Sequence, residues 1–135
     1  PAKVAGLPNV SRILAYRLNG EGKLPPAPRF KPIPAPPPMT ADADTVANGK
    51  RLYHIYCARC HGDAGISGNV LPDLRYMTTT VHAQWDAIVL GGMLTDRGMI
   101  GFGSVLSKPD TDAIHAYAIK RAHDTDMEIG ASALP

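Results

Sequence analysis

Long apolar runs are missing from this sequence, and aromatic residues are few. Aromatic side chains make up 6% of its 135 residues, and only one of them is tryptophan. No stretch reaches the roughly 18 apolar residues that a membrane-spanning helix needs, so we expect no transmembrane segment. A chain of this length has room for one domain and a tail, which excludes a multidomain enzyme with its own large substrate pocket.

Acidic residues are nearly missing from the front of the chain. Residues 1–40 hold six Lys and Arg side chains against Glu21 alone, whereas residues 41–135 hold eight basic and eleven acidic side chains. A basic front without interleaved aromatic residues is more typical of a solvated connector than of a nucleic-acid-binding arm. We therefore expect no nucleic-acid partner.

Proline is concentrated in the same region, where ten of the 13 prolines precede residue 40. Because proline removes backbone donors and favours polyproline conformations, residues 24–39 are predicted to form a semi-rigid linker. Residues 10–18 alternate like a short strand before the turn signal Asn19-Gly20, and a single strand has no partner within this chain. We expect residues 1–23 to be an orphan strand and turn from the end of a larger protein, and residues 40–135 to form the domain.

The domain shows helical periodicity instead, with apolar residues three or four apart. Three helices are predicted: one from a cap at Thr40, Asp42 or Asp44 to about Cys57, one from Thr79 or Thr80 to Gly91-Gly92, and one from a cap at Ser107 through Arg121. Between them lie two glycine-rich loops, residues 62–77 and 91–103. Loops of this length in a small all-α domain indicate a ligand to pack against.

Two further expectations concern the helix faces. Gly49 opposite Tyr117 would let the first and last helices cross closely. Four histidines on the helices are expected to be exposed polar positions: His54, His82, His115 and His123.

Both cysteines lie in one pentapeptide, Cys57-Ala58-Arg59-Cys60-His61. The spacing C-x-x-C-H is the attachment signature of a c-type haem. Two thiols three positions apart on one helical turn can form thioethers with the two haem vinyl groups, and the adjoining imidazole then falls beneath the iron. His61 is therefore predicted to be the proximal axial ligand.

Three other interpretations use the same two cysteines. A redox dithiol normally follows a strand in a βαβ unit, and no such alternation flanks Cys57. A structural zinc site needs four ligands and would have to recruit His54 or His82 at unfamiliar spacing. A disulfide between Cys57 and Cys60 would close too small a loop to stabilise much. The haem interpretation is favoured over all three.

The other face of the iron needs a second ligand or must stay open. Thioether sulfur suits iron in an electron carrier, which makes Met77, Met93 and Met99 candidates. Met99 is favoured because it lies in a flexible glycine-rich loop, whereas Met77 and Met93 border helices. Any one of these methionines could instead fill a gap in the core.

Three other residues are candidates for the surroundings of the haem. Pro72 lies eleven residues after His61, near enough for its carbonyl to accept the imidazole Nδ1 proton and fix the tautomer. Arg75 either forms a charge-assisted pair with a haem propionate or is solvated. Trp85 either packs against the haem or the helices, or donates its indole N–H to a propionate.

Over about residues 41–123 the chain resembles a class I cytochrome c domain. The resemblance is carried by Gly49, Tyr53, the Cys57–His61 pentapeptide, Pro72, Met99 and the helix that contains Tyr117. Four further segments resemble the C-terminal haem domain of PQQ-dependent quinohaemoprotein alcohol dehydrogenases: Leu71-Pro72-Asp73-Leu74-Arg75, Val89-Leu90-Gly91-Gly92, Asp96-Arg97-Gly98-Met99 and Gly101-Phe102. One departure is Ile100, where we would expect a stiff residue such as proline.

The resemblance implies a small class I cytochrome c fold of three to five short helices wrapped around one haem. It implies thioether attachment at Cys57 and Cys60, axial ligation by His61 and Met99, and Arg75 and Trp85 as propionate neighbours. In that family an eight-bladed propeller holds pyrroloquinoline quinone (PQQ) and ends in a strand followed by a proline-rich connector, like residues 11–16 and 24–39. None of the quinone-binding residues lies in this chain.

The implied function is one-electron transfer through covalent haem c, without substrate chemistry of its own. The domain would relay electrons from a PQQ propeller domain to an external acceptor, either a small redox protein or a component of a membrane chain. The alternative is a free-standing periplasmic cytochrome c that shuttles between proteins, while a gas-binding or peroxidatic haem protein would need an open iron face. Because haem c is assembled outside the cytoplasm, we expect a periplasmic location.

Overall fold

The structure, a computed structural model, describes residues 15, 17–23, 32–67 and 71–132. Within these ranges it contains five α-helices and no strand: α1 (Ala43–Tyr56), α2 (Ala58–His61), α3 (Thr79–Ala83), α4 (Trp85–Val89) and α5 (Lys108–Ser132). Short 3₁₀ turns lie at Asp63–Gly65, Leu74–Tyr76 and Thr95–Arg97. The predicted all-α fold is confirmed. No helix in the described ranges is both long and apolar enough to cross a bilayer.

The front of the chain is described only in part. Most of the predicted strand at residues 10–18 lies outside the described residues, but the turn that follows it is present, with Asn19 at a φ of 60° and Gly20 N–H donating to the Arg17 carbonyl at 3.0 Å. Residues 32–38, in the second half of the predicted linker, have no regular secondary structure. Ile33 is buried, and the Pro37 carbonyl accepts a hydrogen bond from His123 Nε2 on α5 at 2.8 Å.

Helix α1 begins where one of the three candidate caps predicts. The Asp42 carboxylate accepts from Thr45 N–H at 2.7 Å, which satisfies a backbone donor at the start of the helix. The predicted second helix starts at Thr79 but is divided into α3 and α4, because the backbone of Gln84 leaves the helical region at φ −97° and ψ 10°.

Helix α5 has a reciprocal cap at its start. Ser107 N–H donates to the Asp110 carboxylate at 3.0 Å, and Asp110 N–H donates back to Ser107 Oγ at 3.4 Å. The helix continues to Ser132, past the apolar stripe that predicted it only through Arg121. Ion pairs one turn apart, such as Lys120 with Asp124 at 2.7 Å, support this extension.

The first and last helices cross at a glycine. A Cβ atom on Gly49 would lie 1.9 Å from the Ala113 carbonyl oxygen, so the two backbones are in direct contact there. The partner of Gly49 is therefore Ala113 and not Tyr117 as expected. Tyr117 instead packs one turn further along against the fully buried Tyr53, with ring centroids 5.3 Å apart.

Of the four helix histidines, His54 is exposed as expected, whereas His82, His115 and His123 are partly buried. His82 Nδ1 lies 2.8 Å from His115 Nε2, and the ring centroids are 5.1 Å apart with an interplanar angle of 27°. The distance between the ring centroids equals the nitrogen separation plus about one ring radius on each side. The two imidazoles therefore meet edge to edge, with one N–H···N hydrogen bond between them. The other side of His115 lies parallel to the buried Trp85 ring at 4.4 Å, which ties α3, α4 and α5 together.

This histidine pair is expected to make the fold sensitive to acid. Burial, and then the neighbouring His82, lower the pKa of His115 from its ordinary 6.5 to about 4, with smaller opposing effects from Asp86 and Asp112. Because the unfolded chain binds this proton more readily, the stability that neutral His115 provides is complete above about pH 6.5 and is lost as the pH falls towards 4. The free energy of unfolding should therefore decline over that interval.

Urea unfolding of the haem-loaded protein between pH 7 and pH 4 measures this decline. His115→Phe keeps a flat ring beside Trp85 but cannot be protonated, so its stability should fall less steeply with acid than that of the wild type. His123→Gln is the matched control, because it removes a histidine of the same helix that does not face the pair. Equal slopes for wild type and His115→Phe would contradict the prediction.

Candidate haem-binding site

The cysteine-histidine pentapeptide forms its own helical turn directly after α1. Cys57 is the C-cap residue of α1. Its carbonyl accepts from the N–H groups of Cys60 and His61 at 3.1 and 2.9 Å. Gly62 then ends the turn at φ 76°, where a Cβ would lie 2.0 Å from the Ile66 carbonyl oxygen. Only glycine fits this position, so the residue after His61 fixes how the turn leaves the helix.

Two side chains of α1 hold this turn in place. The buried Tyr53 hydroxyl donates to the Gly62 carbonyl at 2.8 Å, and burial raises the pKa of Tyr53 well above its usual value. His54 donates from Nδ1 to the Lys50 carbonyl and from Nε2 to the Asp63 carboxylate, both at 2.7 Å. These two acceptors raise the pKa of His54, whose side chain links α1 to the following loop.

His61 is oriented by a backbone acceptor. Its Nδ1 lies 2.8 Å from the carbonyl oxygen of Pro72, the contact that the spacing of eleven residues suggested. Since a carbonyl can only accept, Nδ1 carries the proton and Nε2 keeps its lone pair. An imidazole held in this tautomer, with the other nitrogen free, is the form in which histidine ligates a metal.

The two thiols suit covalent attachment better than the alternatives. Cys57 is partly buried and Cys60 is exposed, and they are not joined to each other. Burial raises the pKa of the Cys57 thiol to about 11, whereas a redox-active C-x-x-C cysteine has a lowered pKa. Across the described ranges no three His, Cys, Asp or Glu side chains gather as a metal cluster.

Residues of the pentapeptide pack against the same core cluster as apolar side chains from other parts of the chain, among them Leu74 and Phe102. Tyr56 meets Phe102 of the second loop edge to face, with ring centroids 6.2 Å apart. Further apolar residues remain exposed on the two loops or just beyond the second: Leu71, Ile100 and Val105. A flat apolar group attached at Cys57 would lie beside the apolar core cluster against which Cys57 packs, so the residues present fit a haem.

The three candidate methionines have different environments. Met77 is 7% exposed in the core and Met93 is 50% exposed, whereas Met99 is partly buried against the core cluster that also contacts Cys57. The loop carrying Met99 is tied to α4, because Phe102 N–H donates to the Val89 carbonyl at 2.7 Å. Met77 thus fills the core and Met93 is exposed, whereas Met99 is partly buried in a glycine-rich loop that packs against the core.

Arg75 and Trp85 both direct side-chain N–H groups at acceptors within the protein. Arg75 is 9% exposed, so it is not solvated, and its guanidinium is paired with Asp73 at 2.7 Å. The Trp85 indole N–H donates to the Thr111 carbonyl at 3.0 Å inside the protein. Of the two roles considered for Trp85, packing against the helices is the one present, and its N–H is not directed at a propionate.

Comparison with known proteins identifies the family to which the chain belongs. A family model described as "Cytochrome C oxidase, cbb3-type, subunit III" matches residues 44–117, more than half of the chain. The chain belongs to this cytochrome c family. The match includes both cysteines, His61, Pro72 and Met99. Membership implies a haem c and a role in electron transfer.

The cytochrome c domain is similar to parts of much longer enzymes. Quinohemoprotein alcohol dehydrogenase ADH-IIG of Pseudomonas putida is 42% identical over 125 residues, which are 92% of this chain and 17% of that protein. The dehydrogenase subunit of the alcohol dehydrogenase (quinone) of Acetobacter aceti is 40% identical over 118 residues, 87% of this chain and 16% of that subunit. The chain therefore spans about a sixth of the length of these relatives.

A solved structure agrees with these sequence matches. The structure of ADHIIG from Pseudomonas putida HK5 superimposes with a TM-score of 0.68 at 42% identity, over 82% of this chain and 16% of that one. The predicted relationship of this cytochrome c domain to the quinohaemoprotein alcohol dehydrogenases is confirmed.

Proposed function

We propose that this domain carries one haem c, attached through Cys57 and Cys60, with His61 and Met99 as the axial ligands of its iron. When bound, the haem supplies one Fe(III)/Fe(II) couple, so the domain takes up and releases single electrons. The observation that carries this proposal is the orientation of His61, whose Nδ1–H is held by the Pro72 carbonyl at 2.8 Å beside two unpaired thiols.

The residues of the chain have three tasks in this function. Pro72 holds the proton on Nδ1 of His61, so that Nε2 remains a ligand in both oxidation states. Met99 would supply the second ligand to the iron of a bound haem, which would leave no open position for a substrate or a gas. Apolar neighbours such as Phe102 exclude water and favour the less charged ferrous state.

The donor and acceptor belong to the same proposal. We place the domain in the periplasm, where it relays electrons from an alcohol-oxidising propeller domain holding PQQ to an external acceptor. The relatives are quinohemoprotein and quinone-dependent alcohol dehydrogenases, which supports this donor. Redox partners dock over small surfaces, so we expect the acceptor to bind weakly and briefly. A gene that continues upstream in frame into propeller repeats would agree with the proposal, and a signal peptide directly before Pro1 would contradict it.

Covalent attachment is tested by substitution of the two cysteines. When the chain is produced with a haem c maturation system, its pigment should survive acidified acetone and should add the mass of one haem to the polypeptide. Cys57→Ser/Cys60→Ser should lose all covalently bound pigment, because no thioether can form. Ala58→Ser, which changes the same turn without removing a thiol, is the control and should retain it. Pigment that washes out of the wild-type protein would overturn the proposal.

A further inference from the structure

A buried ion pair follows Pro72 directly. The Asp73 carboxylate accepts four N–H groups: Oδ1 accepts from Arg75 N and Nε, both at 3.0 Å, and Oδ2 accepts from Arg75 Nη2 at 2.7 Å and Ser67 N at 3.3 Å. The two side chains are 14% and 9% exposed. A charged pair with this many charge-assisted bonds fixes the geometry of its loop strongly.

The other terminal nitrogen of Arg75 connects the loop to α5. Arg75 Nη1 lies 3.4 Å from the hydroxyl of the buried Thr125, which donates to the Arg121 carbonyl at 2.9 Å. Arg121 Nε in turn donates to the Ala64 carbonyl at 3.1 Å, on the other side of the same loop. The loop after His61 is therefore held at two points against the longest helix.

The pair controls the acceptor of His61. The Pro72 carbonyl belongs to the peptide group that ends at Asp73 N, and this group is planar. The proline ring fixes φ on one side, and the anchored Asp73 side chain, which also caps the 3₁₀ turn at Leu74–Tyr76, restrains the other. The direction of the carbonyl, and with it the hydrogen bond to His61 Nδ1, depends on this anchor.

We infer that Asp73 and Arg75 are positioning residues for the axial ligand His61, acting through the Pro72 carbonyl. The inference rests on the proposed haem function and replaces the propionate role expected for Arg75. A histidine that keeps its Nδ1–H bond is a more basic ligand and stabilises ferric iron. Loss of the Asp73–Arg75 pair should therefore raise the reduction potential and expose the Nδ1 proton to exchange.

The experiment compares a single and a double variant of the haem-loaded protein with the wild type. Asp73→Asn keeps the side-chain size and a cap oxygen but leaves the Arg75 charge unpaired, and Asp73→Asn/Arg75→Gln removes both charges together. The measurements are the reduction potential and the exchange rate of the His61 Nδ1 proton by NMR in the ferrous state. Because one hydrogen bond contributes about 1 kcal/mol, we expect exchange to become about fivefold faster in both variants.

The comparison of the single with the double variant separates an effect of side-chain position from an effect of net charge. If the pair acts through position, the potential stays raised and exchange stays fast in the double variant, whose net charge equals that of the wild type. A double variant that returns to wild-type values, or an Asp73→Asn protein unchanged in both measurements, would overturn the inference. Asp96→Asn, which removes an exposed carboxylate from the other loop, is the control and should leave proton exchange unchanged.

A second variant covers the case in which Asp73→Asn does not fold. Arg75→Lys keeps the charge but cannot reach both Asp73 oxygens, so exchange should still become faster, and an unchanged rate would overturn the inference. Failure of the proposed function is separate from these outcomes, because wild-type protein without covalent haem would show it before any variant is made.

Discussion

Replacing Gly49 with alanine is expected to lower the free energy of unfolding by at least about 3 kcal/mol, close to the upper end of ordinary overpacking effects. The new Cβ would lie 1.9 Å from the Ala113 carbonyl oxygen and 2.4 Å from its carbon. These are backbone atoms of α5, which cannot rotate away as a side chain would. The helices must separate, and the contact between Tyr53 and Tyr117 one turn away is lost with them.

Overpacking and helix propensity change the stability of Gly49→Ala in opposite directions, so one measurement distinguishes them. Glycine inside a helix is less favourable than alanine by about 1 kcal/mol, so helix propensity alone predicts that Gly49→Ala stabilises the protein. Urea unfolding of the haem-loaded protein measures which effect is larger. Gly22→Ala is the control, because among the described residues no atom beyond its chain neighbours lies within 4 Å of the added Cβ, and it should change stability by less than about 0.5 kcal/mol. Equal or greater stability of Gly49→Ala would contradict the close crossing.

Features set by neighbouring residues could be predicted from the sequence. The cap at Asp42, the cap at Ser107 and the pentapeptide ending at His61 depend on residues within four positions of each other. The Pro72 contact spans eleven residues, but it follows from what a ligating histidine needs from its second nitrogen. Local hydrogen bonding and the chemistry of haem ligation are therefore sufficient to predict the two caps, the pentapeptide turn and the Pro72 contact.

Features that depend on the register between distant helices could not be predicted. Periodicity indicated that Gly49 lies at a crossing, but not which turn of α5 it meets, so Tyr117 was expected where Ala113 lies. The pairing of His82 with His115 joins residues 33 positions apart and leaves no local pattern. Arg75 was expected to be solvated or to face a propionate, because its burial depends on Asp73 and on Thr125, which lies 50 residues away.

Replacing Met99 is expected to have the largest effect on the redox properties of the domain. Thioether sulfur stabilises ferrous iron, so Met99→His should lower the reduction potential by on the order of 100 mV or more, a modest part of the range that axial ligands span in haem proteins. Met99→Ala should abolish the absorption band near the red end of the oxidised spectrum that reports thioether–iron ligation. Spectroscopy and a potentiometric titration of the haem-loaded variants measure both effects.

The other methionines provide the controls, because their environments differ. Met93→Ala removes a half-exposed side chain, and Met77→Leu nearly preserves the volume of a buried one, so both should retain the band and the potential. The position of Met99 does not need the proline expected after it, since the loop is closed by backbone contacts: a Cβ on Gly101 would lie 2.9 Å from Gly92 N. A band that persists in Met99→Ala but disappears in Met93→Ala would move the sixth ligand to the neighbouring turn, and persistence in all three variants would mean that none of these three methionines is the thioether ligand.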